Sequence, residues 1–228
     1  MNPVSVPFPN SGEEAVVVDR VATERGEIVL RRCGPHHEII SNGVFLMDTR
    51  GGASERLLVT AALSSAPPGS VDLLIGGLGV GFSLDEATRT PRPASITVVE
   101  IEAAVIGWHR DHLDAGALAD PRVRVVRADL LAHLDSPGLL YDVICLDIDN
   151  GPEWTVTDGN RNLYGAAGLA RVRRCLRPGG VLAVWSAAES AGFAARLRDA
   201  FSDVETLPVP VARGVPDVVY VARAVEGR

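Results

Sequence analysis

The stretch Val71-Asp72-Leu73-Leu74-Ile75-Gly76-Gly77-Leu78-Gly79-Val80-Gly81 decides the fold of this chain. An apolar run that ends in a glycine cluster is typical of a buried β-strand and the tight turn after it, and the acidic Glu100 follows one helix and one strand later. Glycines let the backbone turn sharply and approach a ligand, and an acid at the tip of the next strand can accept hydrogen bonds from two ribose hydroxyls. The order of strand, turn, helix and acid therefore predicts a nucleotide-binding α/β domain.

Strands and helices alternate after this turn, which is the pattern of a parallel sheet covered by helices on both faces. Runs at 204–207 and 218–221 predict a final antiparallel pair. The prediction is a seven-stranded, mostly parallel, doubly wound sheet of the class I methyltransferase-like Rossmann type. Its strands are expected at 71–75, 95–99, 123–126, 141–147 and 180–186, and its helices at 83–89, 102–112, 130–134, 160–176 and 190–200.

The residues before Val71 predict a smaller unit. Four β-rich runs and the turn pair Asn42-Gly43 indicate a small antiparallel sheet, and Gly51-Gly52 opens a helix that ends before Pro67. The chain is thus expected to comprise residues 1–66, an N-terminal arm with the small sheet and linking helix, and residues 67–228, the nucleotide-binding domain.

Composition narrows the class of partner. The formal net charge of -7 over 228 residues argues against nucleic acid, and 46% hydrophobic residues suit a globular enzyme acting on small molecules. Neither a signal peptide nor a membrane-spanning apolar run is apparent, so a cytoplasmic protein is expected. The β-rich N-terminal part could pair with a second subunit, which makes a homodimer possible.

Ligands in open α/β sheets bind outside the carboxyl ends of the strands, so the residues that follow each strand are the candidates. The glycine turn could cradle the amino-acid part of a sulfonium nucleotide, although a packing turn is the alternative. Asp129 could bind an adenine amino group or could serve as the N-cap of the next helix. The predicted cofactor-binding residues are Gly76, Gly77, Gly79, Gly81, Glu100, Ile101, Asp129 and Leu130.

The segment Asp147-Ile148-Asp149-Asn150-Gly151-Pro152-Glu153-Trp154 follows another buried strand. A carboxylate there could position an attacking amine or accept its proton, and an indole could contact a cationic substrate. Asp147 and Asp149 are therefore the predicted catalytic residues, and Asn150, Glu153 and Trp154 the predicted substrate contacts. A turn whose Asp and Asn side chains bond only their own backbone is the alternative.

Histidines give little indication of a metal site. His109 and His112 share a helix face, but no third ligand type accompanies them, so exposed helix histidines are the favoured interpretation and no metal is predicted.

Three of these segments together resemble the spermidine synthase (polyamine aminopropyltransferase) family. They are Leu74–Gly81, Val98–Glu102 and Tyr141–Asp147, and the turn at Asn42–Asp48 resembles that family's N-terminal portion. The likeness runs from about Glu24 to the end of the chain. It implies that Glu100 holds the ribose, that Asp129 holds the adenine and that Asp147 helps deprotonate the attacking amine.

Two departures from the family pattern shift the expected reaction. Gly79 stands where the family usually carries an Asp for the amino group of decarboxylated S-adenosylmethionine, and Asn150 stands where a second Asp usually follows the fourth strand. The helix around Glu55 shows no counterpart of the family's polyamine-binding residues, and Arg56 has the wrong sign for a polyamine.

The leading hypothesis is accordingly a transferase that uses S-adenosylmethionine to methylate an amine-type small molecule. Aminopropyl transfer from decarboxylated S-adenosylmethionine is the first alternative, and a non-catalytic nucleotide-binding scaffold is the second. An NAD-dependent oxidoreductase is a weaker fourth.

Overall fold

A four-stranded antiparallel sheet forms the N-terminal part of the computed structural model, which describes residues 15–155, 158–212 and 214–225. Its strands lie in sequential order and are β1 (Ala15–Thr23), β2 (Gly26–Cys33), β3 (His36–Ser41) and β4 (Val44–Asp48). Asn42 and Gly43, with φ of 51° and 77°, form the predicted turn between β3 and β4. The small sheet is confirmed, while the predicted N-terminal arm before it lies outside the described ranges.

A seven-stranded sheet forms the main body and confirms the predicted fold class. Its strand order is β10-β11-β9-β8-β5-β6-β7; β11 is antiparallel to both of its neighbours, and the other pairings are parallel. The strands are β5 (Val71–Gly76), β6 (Pro93–Glu100), β7 (Val123–Arg127), β8 (Tyr141–Leu146), β9 (Leu176–Ser186), β10 (Ser202–Val209) and β11 (Asp217–Arg223).

Helices cover both faces of this sheet, as the alternating pattern predicts. They are α1 (Ala53–Ser65), α2 (Phe82–Thr88), α3 (Ala103–Asp111), α4 (Leu130–Leu134), α5 (Ala166–Arg174) and α6 (Ala191–Ala200). No helix within the described ranges has both the length and the apolar character needed to span a membrane.

Two elements begin more than two residues away from the predicted position. The helix expected at 160–176 is a short 3₁₀ helix, Asp158–Asn162, followed by α5, because Gly165 between them has an extended backbone with φ −81° and ψ 171°. Strand β9 begins at Leu176, before Pro178-Gly179-Gly180, because Leu176 already pairs with Tyr141 and the register then shifts.

The core consists of two apolar layers, one on each side of the central strands. Helix α1 packs on β8, β9 and β11 within the first layer, which also includes residues of the N-terminal sheet. Helices α4, α5 and α6 contribute to the second. Although α1 was assigned to the unit 1–66, its packing is against the large sheet, and the boundary at 66/67 stays a prediction.

The strand order creates the crevice for a site. Strand β5 pairs with β6 on one side and with β8 on the other, so the connections after β5 and β8 leave the sheet toward opposite faces. Such a switch point opens a cleft at the carboxyl ends of the parallel strands. The glycine turn and Asp147 both lie at this edge.

Candidate active site

A cavity of about 1550 Å³ opens at this edge of the sheet. Its walls come from the end of β4, the first turn of α1, the glycine turn, the ends of β6, β8 and β9, and the connection between β10 and β11. A cavity of this size can hold a nucleoside together with a second small molecule.

Gly77 locks the glycine turn against the end of β8. It has φ +91°, and a Cβ added there would lie 2.1 Å from the carbonyl oxygen of Asp147. The Gly77 amide donates to Val99 O at 2.9 Å, and the Asp147 amide donates to Gly76 O at the same distance. A residue without a side chain is therefore required for Asp147 to reach the turn.

His109 and Met47 both contact the glycine turn. The Nε2–H of His109 donates to Gly79 O at 2.8 Å, and a Cβ added at Gly79 would lie 2.2 Å from Met47 Sδ. The interpretation of His109 as an exposed helix histidine is wrong, because its ring is buried between the turn and the carbonyl of Asp114. Periodicity cannot reveal this contact, which joins α3 to a turn thirty residues earlier.

The four predicted glycines do not share one environment. Gly77 and Gly79 line the cavity. Gly76 lies beneath Leu130 and Ile148, and Gly81 packs against His109, so neither of them forms part of the cavity wall.

Glu100 links the end of β6 to the glycine turn. Its side chain accepts hydrogen bonds from the Leu78 amide at 2.9 Å and from the Glu102 amide at 2.8 Å. Burial raises the pKa of Glu100, and these amide donors oppose that rise. A carboxylate oxygen can accept more than one hydrogen bond, so Glu100 can still receive a ligand hydroxyl at the cavity wall.

Three residues after β7 also line the cavity, namely Ala128, Asp129 and Leu130, and Ile101 after β6 does so too. Asp129 is the N-cap of α4, where its carboxylate accepts from the Ala132 amide at 2.9 Å. The N-cap interpretation is thus observed, and it is compatible with adenine binding because Asp129 and Leu130 both face the cavity.

Asp147 lies at the floor of the cavity, directly after β8. The Ser83 hydroxyl donates to its Oδ2 at 2.8 Å. Burial raises the pKa of Asp147 to about 7, and the negative charges of Glu55 and Asp217 add to that rise. A carboxyl group with this pKa can accept and release a proton near neutral pH, which is the property of a general base.

Glu55 and Asp217 complete an acidic cluster, by which we mean Asp147, Glu55 and Asp217. The Ser54 hydroxyl lies 2.9 Å from Glu55 Oε2 and 2.7 Å from Asp217 Oδ2. A hydroxyl carries one proton and can donate to one of them only, so a carboxyl proton is needed to satisfy both contacts. Burial raises the pKa of both Glu55 and Asp217, in agreement with this geometry.

The sequence did not predict Glu55 and Asp217 as site residues, and the interpretation of the helix around Glu55 needs correction. Arg56 does not face the acidic cluster, because neighbouring residues of a helix point about 100° apart. Its guanidinium carbon lies 4.5 Å from the centre of the Phe82 ring, and its Nη2 lies 3.8 Å from Asp85. Glu55, by contrast, lines the cavity.

The segment from Asp147 to Trp154 curves along the cavity wall. Asp149, with φ 54°, accepts from Asn160 Nδ2 at 2.8 Å, and the carbonyl of Asn150 accepts from the Ala187 amide at 3.1 Å. The side chain of Glu153 lies against the start of α6. There the Ser190 hydroxyl and the Arg196 guanidinium donate hydrogen bonds to its carboxylate and lower its pKa. All the predicted catalytic and substrate residues therefore line one cavity, and their roles remain predictions.

Within the described ranges, no group of three or more His, Cys, Asp or Glu residues is arranged to hold a metal ion.

The model of the spermine/spermidine synthase domain matches residues 53–193, which is more than half of the chain. The chain belongs to the spermine/spermidine synthase family. The match begins at α1 and ends in α6, so it includes the glycine turn, Glu100 and the segment from Asp147 to Trp154.

The curated proteins to which the chain is similar include polyamine aminopropyltransferases of Escherichia. The chain is 36% identical over 115 residues to that of Escherichia fergusonii, covering 48% of this chain and 38% of the relative. It is 36% identical over 114 residues to that of Escherichia coli O1:K1, covering 48% and 37%. The aligned stretch thus spans less than two fifths of these relatives.

Solved structures of the family share the fold. A spermidine synthase in complex with the transition state analogue AdoDATO superposes with a TM-score of 0.78 at 15% identity, covering 92% of this chain and 74% of that one. The spermidine synthase of Thermotoga maritima gives 0.76 at 16% identity, with the same coverages. At these low identities, the superpositions show a shared fold alone.

Proposed function

We propose that this protein is an aminopropyltransferase that uses decarboxylated S-adenosylmethionine as its donor and a small amine as its acceptor. The observation that supports this most is the acidic cluster of Asp147, Glu55 and Asp217, which faces the same cavity as the glycine turn and Glu100. Membership of the spermine/spermidine synthase family and the likeness to polyamine aminopropyltransferases favour this reaction over methyl transfer, the leading hypothesis from the sequence.

The charge of the cavity wall supports a donor without a carboxylate. Among the described lining residues, acids greatly outnumber the arginines Arg25 and Arg50. Arg25 is paired with Glu102 at 2.8 Å, and Arg50 is paired with Glu38 at 2.7 Å and with Asp48 at 2.6 Å. An acidic wall whose arginines are already paired attracts a doubly cationic donor and disfavours one that carries a carboxylate.

The acidic cluster also offers a substitute for the carboxylate missing at Gly79. The side chain of Met47 occupies the space where a side chain at position 79 would lie. Any attraction for the donor's ammonium group therefore has to come from elsewhere in the cavity. Glu55 and Asp217 are candidates, since both line the cavity and both act electrostatically on Asp147.

The proposed step is an in-line displacement. The lone pair of the acceptor nitrogen forms a bond to the propyl carbon beside the sulfonium, and the carbon–sulfur bond breaks with its electron pair going to sulfur. The products are an aminopropylated ammonium and the neutral thioether 5′-methylthioadenosine. Before the attack, ionised Asp147 takes one proton from the acceptor's ammonium group and so frees the lone pair that attacks. The chain otherwise supplies alignment, with Glu100 expected at the ribose and Asp129 at the adenine.

Methyl transfer from S-adenosylmethionine is the second candidate. Gly79 favours it, because the residue that would repel a donor carboxylate is absent there. The two reactions leave different nucleosides, since aminopropyl transfer yields 5′-methylthioadenosine and methyl transfer yields S-adenosylhomocysteine.

The test is an incubation of the purified protein with each donor and a panel of small amines, followed by mass spectrometry. Formation of 5′-methylthioadenosine together with an aminopropylated amine is the expected result. S-adenosylhomocysteine as the product would establish methyl transfer instead. If neither donor binds in calorimetry and neither nucleoside product forms, the scaffold hypothesis replaces both.

A further inference from the structure

Three buried side-chain nitrogens have no hydrogen-bond partner among the residues that the structure describes, and all three belong to residues that line the cavity. They are Asn150 Nδ2, Trp185 Nε1 and Arg50 Nη2. The guanidinium of Arg50 is otherwise held by Glu38 and Asp48, so its charge is balanced. Asn150 and Trp185 are different, because a neutral donor on each is left without an acceptor.

Asn150 and Trp185 come from adjacent strand ends. Asn150 follows β8, Trp185 lies near the end of β9, and the Asn150 carbonyl accepts from the amide of Ala187, two residues beyond Trp185. Their exposures are 7% and 8%, so each is more than nine-tenths buried. Buried donors are nearly always paired, and leaving one unpaired is unfavourable. An acceptor atom on the bound molecule would satisfy them.

The chemistry of the wall restricts what that atom can be. A fully protonated diamine carries only N–H donors and offers these two groups nothing. A carboxylate would accept from them, but Asp147, Glu55 and Asp217 would repel it. A neutral oxygen, such as a hydroxyl, fits both the donors and the surrounding charge.

We infer that the acceptor substrate is an amino alcohol, whose amine meets the acidic cluster while its hydroxyl oxygen accepts hydrogen bonds from Asn150 Nδ2 and Trp185 Nε1. This inference rests on the proposed function and specifies its substrate class. It also gives a reason for Asn150 at the place where the family usually carries an Asp, since an amide can donate to an oxygen and an ionised carboxylate cannot.

Calorimetry on the full chain saturated with 5′-methylthioadenosine tests the inference. The probes are 4-aminobutan-1-ol, 1,4-diaminobutane and 4-aminobutanoate, which share a four-carbon spacing and differ in the second functional group. The amino alcohol is expected to bind at least tenfold more tightly than either of the others.

Two variants sharpen the test. Trp185→Phe keeps an aromatic ring and removes the indole N–H donor. It should therefore weaken binding of the amino alcohol about tenfold and leave binding of the diamine unchanged. Asn150→Asp is nearly isosteric and should reverse the preference toward the diamine. Thermal unfolding of each variant, compared with Asp199→Asn on the exposed side of α6, checks that the fold is retained.

The outcomes separate this inference from the proposed function. Tighter binding of the diamine, or equal effects of Trp185→Phe on the diamine and the amino alcohol, would overturn the inference while leaving aminopropyl transfer in place. If 5′-methylthioadenosine itself fails to bind, or no amine binds beside it, the proposed function is overturned and the inference with it.

Discussion

At the scale of single residues, Asp147 lies at the end of a strand in the cavity and has a raised pKa. It follows β8 directly, receives a hydrogen bond from Ser83 and has a pKa of about 7. Asp147→Asn keeps the shape and removes the proton acceptor. We expect a rate at least about 100-fold lower, the usual contribution of a general base, with nucleoside affinity nearly unchanged. Steady-state kinetics and calorimetry with 5′-methylthioadenosine measure the two effects.

The pH profile provides a second measure of the same residue. Because the ionised form of Asp147 accepts the proton, kcat/KM of the wild type should rise as pH increases through about 7. That limb should disappear in Asp147→Asn and persist in the matched control Asp199→Asn, which removes a carboxylate from the exposed side of α6. A full rate in Asp147→Asn would assign this residue a structural role.

Glu100 is the second single residue with a testable role, which is the predicted binding of the donor. Its carboxylate holds the amides of Leu78 and Glu102 and is predicted to receive the ribose hydroxyls. Glu100→Gln retains the size but loses the charge-assisted bonds, which contribute about 1.5–3 kcal/mol each. We expect the affinity for 5′-methylthioadenosine to fall about tenfold or more. Glu205→Gln on β10, at an exposed position, is the control, and equal affinity in both variants would remove Glu100 from the site.

At the scale of elements, the glycine turn joins β5 to the end of β8. A Cβ at Gly77 would lie 2.1 Å from Asp147 O, whereas one at Gly43 in the N-terminal hairpin would meet nothing within 4 Å. Both glycines have φ near the left-handed region, +91° and +77°, so Ala at either carries similar backbone strain.

The two alanine variants therefore separate strain from close approach. We expect Gly43→Ala to lower the free energy of unfolding by about 1 kcal/mol, and Gly77→Ala by about 2 kcal/mol more, with loss of activity as Asp147 is displaced. Urea unfolding and the transfer assay are the measurements. Equal destabilisation by both would show that the turn and β8 are not held together in this way.

At the scale of the whole molecule, folding partly buries the acidic cluster and brings its carboxyl groups together. A carboxyl whose folded-state pKa is raised stabilises the fold at low pH, and this contribution is lost as pH rises through the folded-state value. For Asp147 the loss begins near the ordinary pKa of 3.8 and is complete above about 7. Glu55 and Asp217, whose pKa values are also raised, act in the same direction.

Removing the ionisable groups should reveal this effect. We compare the free energy of unfolding of the double variant Glu55→Gln, Asp147→Asn with that of the wild type. The value for the variant minus the value for the wild type is expected to increase by about 2 kcal/mol from pH 5 to pH 8. Urea titrations at the two pH values measure it, with Asp199→Asn at an exposed position as the matched control. A gain that shrinks with rising pH would contradict the raised pKa values.

Much of the architecture could be predicted because its signals are local. The apolar run before Gly76, the turn pair Asn42-Gly43 and the alternation of strands with helices are each contained within a few neighbouring residues. Backbone conformation and burial respond to such short patterns, so the two sheets and the place of Asp147 at a strand end were predictable. The boundaries at Gly165 and Leu176 were not, because pairing partners set them.

What the sequence by itself determined was thus a doubly wound sheet with a glycine turn and acids at its strand ends. Only the tertiary structure decided that Ser54 and Asp217, 163 residues apart, are hydrogen bonded, and that Glu55 and Asp217 raise the pKa of Asp147. The physical reason is that acidity depends on burial and on charges a few ångströms away. Those neighbours come from α1 and β11, which the packing of α1 on the sheet and the strand order together bring toward the end of β8.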